Sequence, residues 1–218
     1  MGKEINLMKN YPKTKRDLEK RLKEKTADIS LVREFGKEFF DGTRSQGYGG
    51  YNYNPKFWEN VIPTFKEYYN LDENSRILDI GCAKGFMLYD FKRLIPGISI
   101  DGIDISEYAI TNSMEEVKDN LVVGSAIKLP YEDNSFDLVI SIVTLHNLYE
   151  DDLKVALQEI TRVSKKNAFI TLDAYRNNED KIAIEAWNTT AVTILHTDEW
   201  KNMFDEVGYE GDYFWFIP

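Results

Sequence analysis

The sequence predicts an α/β fold: a doubly wound, mostly parallel sheet of six to seven strands, with helices on both faces and an N-terminal helical cap. Three observations predict it. From Arg76 onward, short apolar runs alternate with helical stretches in the order βαβαβ and then βαβ, which calls for a parallel sheet covered on both sides. The first of those runs leads straight into a glycine-punctuated turn and a helix. Upstream of Arg76 the apolar spacing is helical only, broken by one stretch dense in Tyr and Gly.

Each element has its own justification. Residues 13–25 favour helix but offer only Leu18 and Leu22 as an apolar pair. Residues 28–40 make a better helix, with Val32, Phe35 and Phe39 recurring at helical spacing. Residues 41–54 hold Gly42, Gly47, Gly49 and Gly50 among Tyr48, Tyr51 and Tyr53, a glycine density that opposes regular structure and predicts a loop. Asn54 is placed to cap a third helix over 55–69, with Pro55 at its first position. Strands follow at 76–80, 99–104, 121–123, 136–142, 168–173 and 213–217. Helices lie between them at 85–94, 106–118, 152–163 and 200–207. The third of these is the clearest: Leu153, Leu157, Ile160 and Val163 share one face, and acids crowd its start. The chain thus divides into residues 1–70, a helical cap and lid, and residues 71–218, the sheet core.

Composition narrows the function classes. The 218 residues suffice for one domain with an appendage, and 43% hydrophobic with 29% charged residues is ordinary for a globular protein. The formal net charge of −10 argues against nucleic acid as a partner, because polyanion binding relies on clustered Lys and Arg. The one basic stretch, residues 13–25, is interspersed with acids and reads as a solvated helix face. No apolar run approaches the roughly 20 residues that a membrane span needs. The first 25 residues lack the continuous apolar core of a secretory signal. A single cysteine, Cys82, excludes an internal disulfide framework and fits a reducing cytoplasm. Nothing in the sequence specifies an oligomeric state.

The first strand runs into Asp79-Ile80-Gly81-Cys82-Ala83-Lys84-Gly85-Phe86. Gly81 permits the tight turn, Gly85 lets the helix pack close, and the small Ala83 keeps the backbone open to a ligand. The exposed N–H groups of the helix start suit an anionic group. Asp104 ends the second strand, where a carboxylate accepts hydrogen bonds from both hydroxyls of a ribose. A dinucleotide fingerprint reads G-x-G-x-x-G, whereas the glycine-type positions here are 81, 83 and 85, which disfavours a nicotinamide oxidoreductase; a P-loop is absent.

With these residues in view, the chain resembles the class I S-adenosylmethionine (SAM)-dependent methyltransferases. The resemblance is carried by LDIGCAKG (78–85), GIDIS (102–106), VVGSAIKLPYEDNSFDLVIS (122–141) and LHN (145–147), in the family's order and spacing. It implies a Rossmann-like fold and SAM as cofactor, with S-adenosylhomocysteine as product. By the same resemblance Asp79, Gly81, Cys82, Ala83 and Gly85 line the methionine moiety, Asp79 helping to hold its ammonium group. Asp104 holds the ribose, Ile105 lies against the adenine, Ser125 and Ala126 sit at the adenine edge, and Ser141 and Ile142 pass near the sulfonium. Two departures stand out: Ala83 replaces the middle glycine, and Ser125 stands where many members carry an aspartate. The family's fold usually ends in an antiparallel hairpin, of which only 213–217 reads as strand.

Methyl transfer needs an aligned nucleophile, exclusion of water and, for some acceptors, a proton sink. His146, after the fourth strand, is the side chain placed to titrate near neutrality, as a general base or as a structural histidine at a helix start. Asp173, Tyr175 and Arg176 leave the fifth strand on the pocket side; Asp173 is a candidate proton acceptor and Arg176 a partner for an acceptor anion. His196, before the last helix, reads as a surface or capping residue. Two distant histidines and one cysteine give no metal constellation. Arg44, Tyr48, Tyr51 and Tyr53 fall where the family places lid elements, and the glycines around them are candidate hinges. The expected activity is methylation of an oxygen or nitrogen on a small molecule, with an anionic sugar or metabolite as one class. The alternatives are a protein or RNA methyltransferase and a SAM-binding protein without catalysis.

Overall fold

A computed structural model describes residues 2–13, 17–25 and 29–218. The sheet grows from β1 (Arg76–Ile80), whose neighbours are β2 (Ser99–Asp104) on one side and β4 (Phe136–Ile142) on the other. β3 (Leu121–Val123) extends the β2 side and β5 (Ser164–Tyr175) the β4 side. β6 (Leu195–His196) and β7 (Asp212–Phe216) both pair with β5, β6 at its last two residues and β7 along Phe169–Asp173. Every one of these pairings is parallel. The direction of winding reverses between β1 and β4, so a crevice opens above their carboxyl ends.

The central strands are buried on both faces, which explains why apolar residues fill successive positions, as in Ile77-Leu78 and Leu138-Val139-Ile140. Neighbouring residues alternate between two cores. Leu78 and Val139 pack with Leu153, Leu157 and Ile160 of α7 (Glu150–Val163) and with Trp200 and Phe204 of α9 (Thr197–Val207). Ile77 and Leu138 pack instead with Phe65 of α4 (Ile62–Tyr69) and with Leu88 and Phe91 of α5 (Phe86–Leu94).

Several elements differ from the sequence expectation. In the expected helix over 13–25, residues 14–16 lie outside the described set, and the described part is α1 (Leu18–Glu24). Asp28, the expected start of the second helix, also lies outside it. The rest of that helix divides into α2 (Ile29–Val32) and α3 (Lys37–Asp41), because Phe35 takes a left-handed φ of 51°. That turn aims the Phe35 carbonyl at Ser106, whose Oγ donates to it at 2.5 Å. Asn54 caps as expected, its side chain accepting from Lys56 N at 3.2 Å, but only a 3-10 turn (Pro55–Phe57) follows before α4. Pro63 is the reason: it is admissible in the first turn of α4 and not inside a helix running from residue 55. Ser106 caps α6 (Glu107–Thr111), shorter than the expected 106–118. The sequence pattern does not announce α8 (Asn178–Trp187) or β6, the first because only Ile184 and Ala186 are buried along it, the second because it has two residues.

The sheet ends unlike the family's usual hairpin. β7 runs parallel to β5, and residues 3–5 continue the sheet beyond it: Tyr213 N donates to Lys3 O at 3.0 Å and Ile5 N to Tyr213 O at 2.9 Å. The N-terminal arm therefore joins the core sheet, buries Leu7 at 4% exposure against Phe65 and its neighbours, and brings Met8 and Tyr11 to the crevice.

Candidate active site

The turn after β1 sets the floor of the crevice. Gly81 has φ 82°, and a Cβ added there would lie 2.2 Å from Thr144 Oγ1, so no side chain fits. Ala83 has φ 48°, a conformation that costs a non-glycine residue about 1–2 kcal/mol. Its methyl is not idle: it packs with Phe40 and Ala109 under Phe35, Phe39, Tyr51 and Tyr108, joining the turn to the cap. Gly85, with φ 77°, precedes α5 directly. Asp104 binds this turn through both oxygens, Oδ2 accepting from Ala83 N and Oδ1 from Ser106 N, each at 2.8 Å.

Two carboxylates face one cavity of about 960 Å³ above the strand ends. Asp79 is 4% exposed and accepts no hydrogen bond from any described residue. Burial, and then the proximity of Asp104, push its carboxyl up to about 8. Burial also raises Asp104, against the two backbone N–H bonds that hold it down. Burial pushes the Cys82 thiol well above its ordinary range, so it lines the cavity as a neutral group. A buried, unpartnered carboxylate is a receptor for a cation. The ammonium and ribose of SAM match Asp79 and Asp104 in kind.

The structure sorts the expected residues into two groups. Asp79, Gly81, Cys82, Ala83, Asp104, Ile105, Ser125, Ala126 and Ile142 line the cavity, as do Tyr48, Tyr51 and Arg176. Gly85 lies behind the turn, packed towards Val117 and Leu121, and Ser141 is buried with its Oγ donating to Ile80 O at 2.9 Å. Tyr53 turns away to donate to Asp90 Oδ1 at 2.8 Å. Arg44 holds its own loop, donating to Gly47 O at 2.7 Å, and Tyr175 sits beside His196 with its rings 5.5 Å apart. The two expected catalytic groups also lie outside the cavity lining. His146 is 1% exposed, and its Nδ1 accepts from Asp173 N at 3.1 Å. Asp173 is fully buried; its Oδ2 accepts from Asn188 and its carbonyl from Trp200 Nε1. Burial lowers His146 below its ordinary range despite the nearby Asp173 carboxylate. His196 caps α9, its Nδ1 accepting from Asp198 N at 3.2 Å.

Residues 78–172 match a family model described as a methyltransferase domain. Those residues form a methyltransferase domain, and the fold around them is that of the class I SAM-dependent methyltransferases. The methyltransferase domain is similar to demethylmenaquinone methyltransferase of Staphylococcus aureus, at 37% identity over 105 residues, 45% of this chain and 42% of that protein. It is also similar to a tRNA (carboxymethyluridine(34)-5-O)-methyltransferase of Arabidopsis thaliana, at 32% identity over 133 residues, 60% of this chain and 31% of that protein. The chain therefore spans less than half the length of these two relatives. Among solved structures, the fold is that of phosphoethanolamine N-methyltransferase 2 from Haemonchus contortus with S-adenosylhomocysteine bound (TM-score 0.59, 18% identity, 81% of this chain and 44% of that one). Among the described residues no group of His, Cys, Asp and Glu could hold a metal ion, and no helix is long and apolar enough to cross a membrane.

Beyond the methyltransferase motifs, the cavity has a second set of walls that the sequence did not disclose. Trp58, Trp187, Phe214 and Phe216 face it, with Met8 and Tyr11 of the N-terminal arm and Arg33 of the cap. Asn147 lines it too, and its Oδ1 has no donor among the described residues. Asn147 lies within the LHN block, which was the available signal; the aromatic residues lie in separate segments and carried none.

Proposed function

We propose that this chain transfers the methyl group of SAM to an oxygen or nitrogen of a small molecule. The observation that carries this reading is a single cavity lined by Asp79, the glycine turn and Asp104 together with residues of the arm, the cap and the end of the sheet. SAM, when bound, supplies an electrophilic methyl group on its sulfonium. Asp79 receives the ammonium, Asp104 orients the ribose, and Ser125 and Ala126 border the adenine. Tyr48 and Tyr51, whose rings lie 4.4 Å apart, roof the cofactor side as a lid and keep water out. Within residues 1–70, α1 to α3 and the Tyr/Gly segment act as cap and lid, whereas residues 3–5 and α4 pack into the core shared with residues 71–218, and a reducing cytoplasm is the compartment in which Cys82 stays a thiol.

In this reading His146 and Asp173 are positioning residues. The imidazole accepts the Asp173 N–H and fixes the end of β5 against the turn after β4, while Asn147 in the next position meets the acceptor. The acceptor proton is lost to water or to the acceptor's own basic group, and proximity supplies the catalysis.

Calorimetry with SAM and S-adenosylhomocysteine, beside NAD and the Asp104→Ala variant, tests the cofactor. Micromolar binding of the two sulfur compounds, lost in the variant and absent for NAD, supports the reading. Radiolabelled methyl transfer then separates acceptors. The tRNA-modifying relative supports a second reading, transfer to RNA. Label appearing in bulk tRNA and in no small molecule would favour it over the first.

A further inference from the structure

We infer that the methyl acceptor is a planar aromatic molecule carrying one anionic group. The inference rests on the methyltransferase reading and concerns the cavity walls other than the glycine turn and Asp104. Aromatic side chains from four separate segments line them: Tyr11 from the N-terminal arm, Trp58 after the 3-10 turn, Trp187 at the end of α8, and Phe214 and Phe216 from β7. All five are half-buried in the protein, so part of each ring faces the cavity or solvent. Tyr11 and Trp58 meet edge to face at 5.3 Å, a contact that holds both rings in fixed orientations. Flat apolar walls of this kind take a flat apolar guest, with little conformational entropy to lose on either side.

The chain carries 37 acidic and 27 basic residues, and the cavity is lined by three cations, Lys13, Arg33 and Arg176, beside Glu34 and the two carboxylates Asp79 and Asp104 already assigned to the cofactor. Arg33 is held in place by neutral groups, its Nε donating to Thr190 O and its NH2 to Ala191 O, each at 3.1 Å. Those carbonyls orient the guanidinium without cancelling its charge. Arg176 pairs with Glu4 at 3.4 Å, with the two side chains 55% and 38% exposed. A solvated pair of that kind contributes little and yields readily to a ligand anion. On transfer, the bond from sulfur to the methyl carbon breaks as a bond from an oxygen or nitrogen of the ring substituent forms. S-adenosylhomocysteine is released, and the proton of that hydroxyl or amine passes to water.

The test uses the whole chain saturated with S-adenosylhomocysteine, titrated calorimetrically with three probes. These are para-hydroxybenzoate (aromatic and anionic), phenol (aromatic and neutral) and glycerol phosphate (anionic and not aromatic). Para-hydroxybenzoate should bind at least about tenfold more tightly than either of the others. Arg176→Gln should bring it close to phenol, and Trp187→Leu should weaken both aromatic probes, with thermal melting to establish that each variant is folded. If Trp187→Leu does not fold, Trp58→Leu answers the same question. Equal binding of the three probes, a preference for phenol or glycerol phosphate, or binding of none would overturn the inference. Failure of S-adenosylhomocysteine itself to bind would instead overturn the methyltransferase reading on which it rests.

Discussion

Lys84 Nζ lies 2.7 Å from Asp41 Oδ2, and this one ion pair fastens the glycine turn to the cap. The same carboxylate oxygen accepts from Tyr108 OH at 2.7 Å, while Oδ1 accepts from Tyr51 N at 2.9 Å. Lys84 in turn donates to Tyr51 O at 2.9 Å. Burial alone would raise the Asp41 carboxyl, but Lys84, the Tyr51 N–H and the Tyr108 hydroxyl together hold it below its ordinary value. Its contribution to stability is present above the ordinary aspartate range and is lost as pH falls through the lowered value.

The two partners should respond unequally to removal. The Lys84 side chain is 8% exposed and that of Asp41 23%. Asp41→Ala strands a buried ammonium and should cost about 3 kcal/mol, whereas Lys84→Met leaves Asp41 with two other donors and should cost about 1 kcal/mol. Urea denaturation of both variants measures the difference. Equal losses would mean that the pair does not fasten the cap as described.

Asp79 links cofactor binding to protons. With its carboxyl raised to about 8, folding stability is fully present below the ordinary aspartate range and declines as pH rises towards 8. Asp79→Asn should therefore be more stable than the parent at pH about 8 and nearly equal to it at pH about 4, while binding SAM more weakly. The parent should also release a fraction of a proton on binding SAM near neutrality. Calorimetry in buffers of different ionisation enthalpy reads that release, and a buffer-independent heat would contradict it.

His146 should behave as a structural group. Because burial lowers its pKa, it stays neutral in the fold, and stability should fall as pH drops below its unfolded value of about 6.5. His146→Ala leaves the Asp173 N–H without its acceptor and opens a cavity, for a loss of about 2–4 kcal/mol. In a variant that still folds, turnover at saturating substrate should keep the parent's pH profile. Disappearance of a pH break near neutrality would return the residue to a catalytic role.

The lid gives a fourth prediction. Tyr51 stacks on Phe86 at 4.9 Å and Tyr48 on Phe40 at 6.0 Å. Replacing Tyr48 and Tyr51 by Ala should weaken SAM binding by about tenfold, which is about 1.4 kcal/mol, and should speed S-adenosylhomocysteine release. Unchanged affinity and turnover would remove the two rings from the lid.

How far the sequence disclosed all this depended on how local each feature is. Ile77–Ile80 and Val139–Ile142 were legible because strands buried on both faces carry apolar residues at successive positions rather than at alternate ones. The cofactor walls were legible because Asp79, Gly81, Ala83 and Asp104 follow one another along two strand ends. The break at Phe35 was not, since a left-handed phenylalanine is paid for by a carbonyl bonded to Ser106, far along the chain. The acceptor walls were illegible for the same reason: Tyr11, Trp58, Trp187 and Phe216 come to one cavity only in the fold. His146 looked catalytic by position, and only burial reveals that its ring faces Asp173.

The arm beside β7 has a consequence for the order in which the molecule takes shape. Lys3 N donates to Asp212 Oδ1 across 209 positions of sequence, so that contact closes a loop embracing nearly the whole polypeptide. Closing so wide a loop is entropically dear and is deferred until nearer contacts have formed. The groups that grip the cofactor can assemble early from a short stretch of chain. Those that select what is methylated wait for the seam, and a lesion at the seam should spare the grip while blurring the choice.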